Sequence, residues 1–82
     1  MKMITLSIRY FALLREQRGV AHERLETTAA TPVAVYEELR ARHGFTLPSE
    51  SVRAAVNGEF VGATTALKDG DEVVFIPPVA GG

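Results

Sequence analysis

Apolar and polar residues alternate at the start of the chain. The positions of one parity carry large apolar side chains, namely Ile4, Leu6, Ile8 and Tyr10. A period of two predicts a strand with one buried face. The next eight residues, 11–18, break this alternation and are rich in helix formers, and Gly19 follows them. This arrangement predicts a short helix that ends at a glycine cap.

A second helix is predicted from the middle of the chain. Residues 20–27 are polar and alternating, and we expect them to form an edge strand beside the first strand. Thr31 and Pro32 then combine a capping hydroxyl with a residue suited to the first helical position. The apolar stripe of Val35, Tyr36 and Leu39 predicts a helix from Pro32 to about His43, with Gly44 as its stop.

The last third of the chain reads as three strands. Asn57 and Gly58 tolerate the positive φ angles of a type I′ turn, so residues 52–61 predict a hairpin. A loop over residues 62–68 and an Asp-Gly-Asp turn then lead to a final strand that is apolar through Ile76. One main helix can cover only one face of such a sheet. The order of elements therefore predicts an α+β roll of the β-grasp type, whose mixed sheet has its first and last strands in the centre if they pair.

Both faces of the final strand are apolar. Val73 and Phe75 share one face, and Val74 and Ile76 share the other, so one pair is expected on the open side of the sheet. Phe11 follows the first strand and has the parity to join Ile76 in an apolar patch there. Alternatively, the loop of residues 62–68 or a second copy of the chain covers this face.

The final residues, 77–82, have the sequence of an extended tail that a partner protein could bind. Pro77 and Pro78 lack a backbone N–H and fix φ, so they end the sheet and favour an extended chain. Val79, Ala80, Gly81 and Gly82 follow, and glycine adds no side-chain bulk beside the terminal carboxylate. Six residues reach roughly 20 Å, enough to enter a partner's active site. We therefore divide the chain into a domain of residues 1–76 and a protruding C-terminal tail of residues 77–82. The alternative is a frayed end or an expression remnant.

Composition narrows the classes of function. The chain has 82 residues, a net charge of −1, a pI near 6.1 and no cysteine. One small domain is expected, and the interleaved charges argue against a nucleic-acid partner. The absence of cysteine excludes a thiol nucleophile and fits a reducing compartment, so we expect a cytoplasmic protein. The alternating N-terminus argues against a signal peptide or a membrane span.

Candidate catalytic groups do not form a recognisable constellation. His22 and His43 are distant in sequence and are expected on the surface, and without cysteine they give no metal-ligand spacing. Neighbouring carboxylates occur only where helices and turns favour them, at Glu37 and Glu38 and at Asp69 and Asp71. We expect the chain to bind no metal or cofactor and to catalyse nothing alone. The terminal carboxylate of Gly82 remains as the reactive group, and it needs activation, most simply to an acyl-adenylate by a partner that uses ATP and Mg²⁺.

Several stretches carry a family resemblance. Residues 11–16 with Gly19, residues 55–57, residues 67–73 and above all the ending FIPPVAGG resemble MoaD, the small subunit of molybdopterin synthase. MoaD belongs to the ubiquitin-like superfamily of ThiS, the sulfur carrier of thiamine synthesis. The matches extend over nearly the whole chain, whereas a diglycine end alone would be a weak signal.

The resemblance implies a function as a sulfur carrier. An E1-like enzyme of the MoeB type would adenylate Gly82, and a sulfur donor would convert the adenylate to a thiocarboxylate. The tail would then enter the large subunit, MoaE, and donate sulfur to cyclic pyranopterin monophosphate in molybdenum cofactor biosynthesis. The resemblance suggests a heterotetramer of two small and two large subunits.

The resemblance also assigns an interface. Phe11, Arg15 and Ile76 would meet the partners, although the family's usual aromatic residue at position 76 is here aliphatic. Three functions of different class stay open at this point: a sulfur carrier for molybdopterin, the same chemistry with another acceptor such as thiamine, tRNA or a protein lysine, and a non-covalent interaction module.

Overall fold

A computed structural model describes residues 2–78 of the chain. Within this range the elements are β1 Ile4–Tyr10, α1 Ala12–Arg18, β2 His22–Thr27, α2 Pro32–His43, a 3₁₀ turn Ser49–Ser51, β3 Arg53–Val56, β4 Glu59–Val61 and β5 Glu72–Ile76. The strands form one sheet in the order β2-β1-β5-β3-β4. β1 and β5 are parallel, and the other neighbours are antiparallel. The predicted mixed sheet with its first and last strands at the centre is therefore confirmed.

The core lies between α2 and one face of the sheet. The apolar positions of β1 point into it, and Leu6 and Ile8 are fully buried. From the helix side, Val35, Tyr36 and Leu39 meet them, as the sequence pattern predicted. The rings of Tyr36 and Phe75 lie 5.4 Å apart between centroids, which joins α2 directly to β5. β5 is thus held by two neighbouring strands and by the helix above it.

The turns form where the sequence placed them. The hydroxyl of Thr31 accepts a hydrogen bond from the Ala34 N–H at 3.3 Å and caps α2. Gly44 ends the same helix in the left-handed region, at φ 72°. Asn57 and Gly58 both have positive φ, 51° and 88°, as the predicted type I′ turn requires. This two-residue turn fixes the register of β3 against β4.

The loop of residues 62–68 packs on the helix side of the domain. The Ala63 carbonyl accepts from the Val33 N–H at 3.0 Å, and the Leu67 N–H donates to the Ala30 carbonyl at 2.8 Å. The Leu67 side chain is buried in the core. The alternative in which this loop covers the open face of the sheet is therefore wrong.

Candidate functional site

The predicted site begins where β5 ends. Ile76 is the last residue of the strand, Pro77 is buried, and Pro78 is exposed. The boundary drawn between residues 76 and 77 stays a prediction. Val79, Ala80, Gly81 and Gly82 lie outside the described residues, so their part in the extended tail also stays a prediction.

The position of β5 fixes where the C-terminal residues begin. β5 pairs with β1 through Tyr10 and Phe75 and with β3 through Arg53 and Ile76. Phe75 is only 1% exposed. Because Ile76 follows Phe75 and is paired on the adjacent strand, the point at which the chain leaves the sheet is anchored by core packing and by backbone hydrogen bonds.

The Asp-Gly-Asp turn anchors the other end of β5. Asp69 accepts from the Thr5 N–H at 2.7 Å, and the Gly70 N–H donates to the Thr5 carbonyl at 2.8 Å. Asp71 accepts from the Lys68 N–H at 2.8 Å and from the Asn57 side-chain amide at 2.9 Å. Both carboxylates therefore serve the turn and the start of β5, in line with the local roles expected from the sequence.

The structure brings two of the three predicted interface residues to the same end of the sheet. Phe11 follows Tyr10 of β1, which lies opposite Phe75, so Phe11 and Ile76 leave neighbouring parallel strands at the same level. Phe11 is 47% exposed, and Ile76 is half-buried. Arg15 is exposed on α1, one turn further along the chain. These positions are compatible with the predicted interface.

An unusual backbone conformation lies beside Phe11. Ala12 has φ 51°, a left-handed value that costs a residue with a Cβ on the order of 1 kcal/mol. Ala12 is the first residue of α1, and Phe11 before it is exposed at the surface. A strained residue next to an exposed aromatic side chain is typical of a functional surface.

On the open face of the sheet, two residues that the sequence analysis did not assign to it, Ala55 and Phe60, extend the apolar surface of Val74. Val74 lies opposite Ala55, and Ala55 lies opposite Phe60, so the three form a row across β5, β3 and β4. Phe60 is 59% exposed, and the Arg53 guanidinium lies 4.4 Å from the centre of its ring. The signal was present in the sequence, because a two-residue turn at Asn57 and Gly58 fixes the pairing of Ala55 with Phe60.

A polar cluster holds α1 against the sheet. Arg18 donates two hydrogen bonds to Glu23, at 2.8 and 2.9 Å, and the Tyr10 hydroxyl donates to the same carboxylate. The hydrogen bonds from Arg18, helped by that from Tyr10, lower the pKa of Glu23 from 4.5 to about 2 although burial opposes the shift. Burial, with the Glu23 carboxylate beside it, raises the pKa of Tyr10 far above its usual value. Since α1 also carries Arg15, this cluster holds that residue of the predicted interface in place.

His43 differs from its prediction. The sequence placed it on the surface, whereas its side chain is only 17% exposed and its Nε2 atom lies 3.9 Å from Glu23 without a hydrogen-bond partner. Burial, reinforced by the charge of Arg18, lowers the pKa of His43 below its usual value and favours the neutral ring. The ring lies near Glu23 of β2 and 5.9 Å, between centroids, from the ring of Phe45. His22 is exposed, as predicted.

Comparison with known proteins identifies the family. The family model described as the ThiS family matches residues 8–82. The chain belongs to the ThiS family. A relative named molybdopterin synthase sulfur carrier subunit, from Haemophilus influenzae, is 36% identical over 80 residues, which cover 94% of this chain and 99% of that protein. The resemblance to the small subunit of molybdopterin synthase is therefore confirmed.

Solved structures support the same fold. The solution structure of small archaeal modifier protein 1 from Methanosarcina acetivorans is 27% identical, covers all of both chains and superposes with a TM-score of 0.79. A complex of subunits 1 and 2 of molybdopterin-converting factor from Helicobacter pylori contains a chain that is 25% identical, with a TM-score of 0.64 over 96% of this chain and all of that one. The β-grasp prediction is confirmed.

The described part of this ThiS-family chain contains a cavity with a mainly apolar lining. This cavity, of about 170 Å³, lies between the start of α2 and β3, and its apolar lining includes Pro32, Val52 and Phe75. Between residues 2 and 78 no group of three or more His, Asp or Glu side chains is placed to hold a metal ion. Over the same residues no helix is long and apolar enough to cross a membrane.

Proposed function

We propose that this ThiS-family chain is the sulfur-carrier subunit of a molybdopterin synthase and that its terminal residue, Gly82, carries the sulfur. The observation that carries the proposal is the match over 94% of the chain to a molybdopterin synthase sulfur carrier subunit at 36% identity. The sequence ends in the Gly-Gly pair that this chemistry needs, and the residues before it continue from the central strand β5.

The first chemical step is activation of the Gly82 carboxylate. A carboxylate is a poor electrophile, so an E1-like enzyme of the MoeB type transfers AMP to it from ATP, with Mg²⁺ neutralising the phosphates and pyrophosphate leaving. Sulfur supplied by a sulfur donor at the level of hydrosulfide then attacks the acyl carbon, the bond between that carbon and the phosphate oxygen breaks, and AMP and a proton leave. The product is a thiocarboxylate, whose sulfur is a better nucleophile than a carboxylate oxygen. The ATP and the metal belong to the activating enzyme.

The second step is delivery of the sulfur inside a larger partner. The thiocarboxylate enters the active site of the large subunit, MoaE, and its sulfur attacks cyclic pyranopterin monophosphate. A dithiolene contains two sulfur atoms, so two charged chains are used for each product. The Helicobacter pylori complex of subunits 1 and 2 supports a large-subunit partner for this chain. The heterotetramer of two small and two large subunits is proposed from the family resemblance.

The surface that meets this partner would surround the start of the tail. Phe11 and Ile76 lie at the same end of the sheet, Arg15 is exposed nearby on α1, and Phe60 extends the apolar area on the open face. Pro78 to Gly81 would occupy the entrance to the active site, where narrow residues are required.

Reconstitution tests the proposal. The chain is purified from sulfur-replete cells, and intact-mass spectrometry is used to detect the replacement of one terminal oxygen by sulfur. The charged chain is then mixed with its purified large subunit and cyclic pyranopterin monophosphate, and molybdopterin is measured by the fluorescence of its oxidised derivative. A variant that lacks Gly82 is the matched control and should give neither the mass change nor product. A charged chain that yields no molybdopterin would refute the proposal.

A second candidate is the same terminal chemistry with another acceptor. Among these acceptors, the likeness to small archaeal modifier protein 1 over the full chain favours a protein lysine, so that this chain would act as a protein modifier. Sulfur transfer in thiamine synthesis or in tRNA thiolation would use the same thiocarboxylate. An adduct in which Gly82 is joined to a lysine of another protein would identify the modifier function, and the reconstitution above separates the remaining acceptors.

A further inference from the structure

The lysine side chains of this protein are few and lie at one end of the sheet. Of its nine Lys and Arg residues, only Lys2 and Lys68 are lysines. Lys2 precedes β1, and Lys68 lies in the turn before β5. Because β1 and β5 are parallel, both lysines lie at the end of the sheet opposite the point where the chain leaves after Ile76.

Distances along the strands show how far these amines are from the C-terminal residues. At about 3.3 Å per residue, Lys2 lies roughly 30 Å from the level of Ile76. Lys68 is close to Thr5 through the turn hydrogen bonds, six positions before that level, and so lies roughly 20 Å from it. Pro77 is buried, so five residues remain beyond it, with a maximum reach of about 17 Å. Contact with Lys68 would require this segment to reverse direction and extend fully along the sheet.

Arginines occupy the cationic positions at the near end. Arg53 is the register partner of Ile76, Arg9 is the partner of Val74, and Arg15 is exposed on α1. A guanidinium stays protonated at any physiological pH and does not act as a nucleophile, whereas a lysine amine does so once it loses its proton. Among the described residues, the near end of the sheet therefore carries positive charge without a lysine amine.

We propose that this arrangement protects the activated C-terminus from capture by the chain's own lysines. The inference rests on the proposed function, in which Gly82 becomes an acyl-adenylate. A nearby lysine amine would attack the acyl carbon, form an amide bond and release AMP and a proton, which would end the sulfur-transfer cycle. Arg53, as the partner of Ile76, occupies the position at which a lysine would be most harmful.

The test uses a chemically activated chain, so that it does not depend on the activating enzyme. The full chain is prepared as a C-terminal thioester by thiolysis of an intein fusion, and it is incubated at low micromolar concentration near pH 8.5, where about 1% of lysine amines are deprotonated. Intramolecular attack releases the thiol and leaves a product lighter than the hydrolysed acid by one water molecule. Intact-mass spectrometry follows the two products, and peptide mapping locates the amide.

The variants are Arg53→Lys, with Arg53→Gln as its control, and Arg9→Lys as a second reporter in case the first does not fold. We expect wild type and Arg53→Gln to yield mainly the hydrolysed acid. The folded lysine variants should yield at least about tenfold more internal amide than wild type, because a short tether gives the amine a millimolar effective concentration. Amide formation at Lys2 or Lys68 in the wild type to a similar extent would overturn the inference. So would the absence of amide in both lysine variants. Either result leaves the proposed sulfur carriage intact, because charging is measured separately by the mass of the terminal thiocarboxylate.

Discussion

The hydrogen bonds between Arg18 and Glu23 should determine both the stability of the domain and the placement of α1. Glu23 is 20% exposed in its side chain, and it accepts two hydrogen bonds from Arg18 and one from Tyr10. We predict that Glu23→Gln destabilises the domain at neutral pH. The substitution keeps the size of the side chain and removes the charge that Arg18 binds.

The magnitude follows from the pKa of Glu23. A fall of that pKa from 4.5 to about 2 on folding corresponds to about 3 kcal/mol of stabilisation of the charged form. The glutamine can still accept from Tyr10, and Arg18 can turn partly to solvent, so we expect a loss of about 2 kcal/mol. Because the folded-state pKa is the lower one, this stability is complete above pH 4.5 and is lost as the pH falls toward 2.

Urea denaturation at pH 7 and at pH 2.5 measures this difference. The variant should lose about 2 kcal/mol relative to wild type at pH 7, and most of that difference should vanish at pH 2.5. Glu26→Gln is the matched control, since Glu26 lies on the same strand and is exposed. An equal loss at both pH values, or a loss at pH 7 no larger than that of the control, would refute the reasoning. Weaker binding of Glu23→Gln to the large subunit would show that the cluster also positions α1.

Three further predictions concern the tail, the hairpin and the open face. Deleting Gly82, or replacing Gly81 with Trp, should abolish sulfur charging or delivery. Either change should alter the free energy of unfolding by less than about 0.5 kcal/mol, and a larger loss of stability would mean that the C-terminal residues are packed against the domain. Asn57→Ala should cost about 2 kcal/mol in urea denaturation, because it places alanine at φ 51° and removes the hydrogen bonds to Asp71 and Glu72; a loss below about 0.5 kcal/mol would contradict this. Phe60→Ser should leave stability nearly unchanged but weaken binding to the large subunit at least about tenfold in calorimetry, and unchanged affinity would exclude Phe60 from the interface.

Elements with a strong local signal were predictable from the sequence. The period of two in β1 identified its buried face, Thr31 with Pro32 identified the start of α2, and Asn57 with Gly58 identified the hairpin. In each case the information lies within a few neighbouring residues. Turn geometry and the alternation of apolar and polar residues depend on such short spans, so the predictions made from them agree closely with the structure.

Features that join distant residues were not predictable in the same way. The cluster of Tyr10, Arg18, Glu23 and His43 combines four elements, and each of these residues alone reads as an ordinary surface or core position. The burial of Pro77 likewise depends on packing after β5 is placed. For the candidate site, the terminal glycines were predicted from the sequence, and Phe11, Arg15 and Ile76 from the family resemblance. The stack of Arg53 on Phe60 was not predicted, because it depends on side-chain conformation as well as on strand register.

The central place of β5 constrains how the protein is made. Until the ribosome releases residues 72–76, β1 and β3 lack the strand that joins them, and the sheet remains in two separate halves. A product that stops before this point would expose its apolar faces and be open to proteases and chaperones. Only chains translated through β5 can complete the sheet, and β5 leads directly to the C-terminal residues that would carry the sulfur in the proposed function.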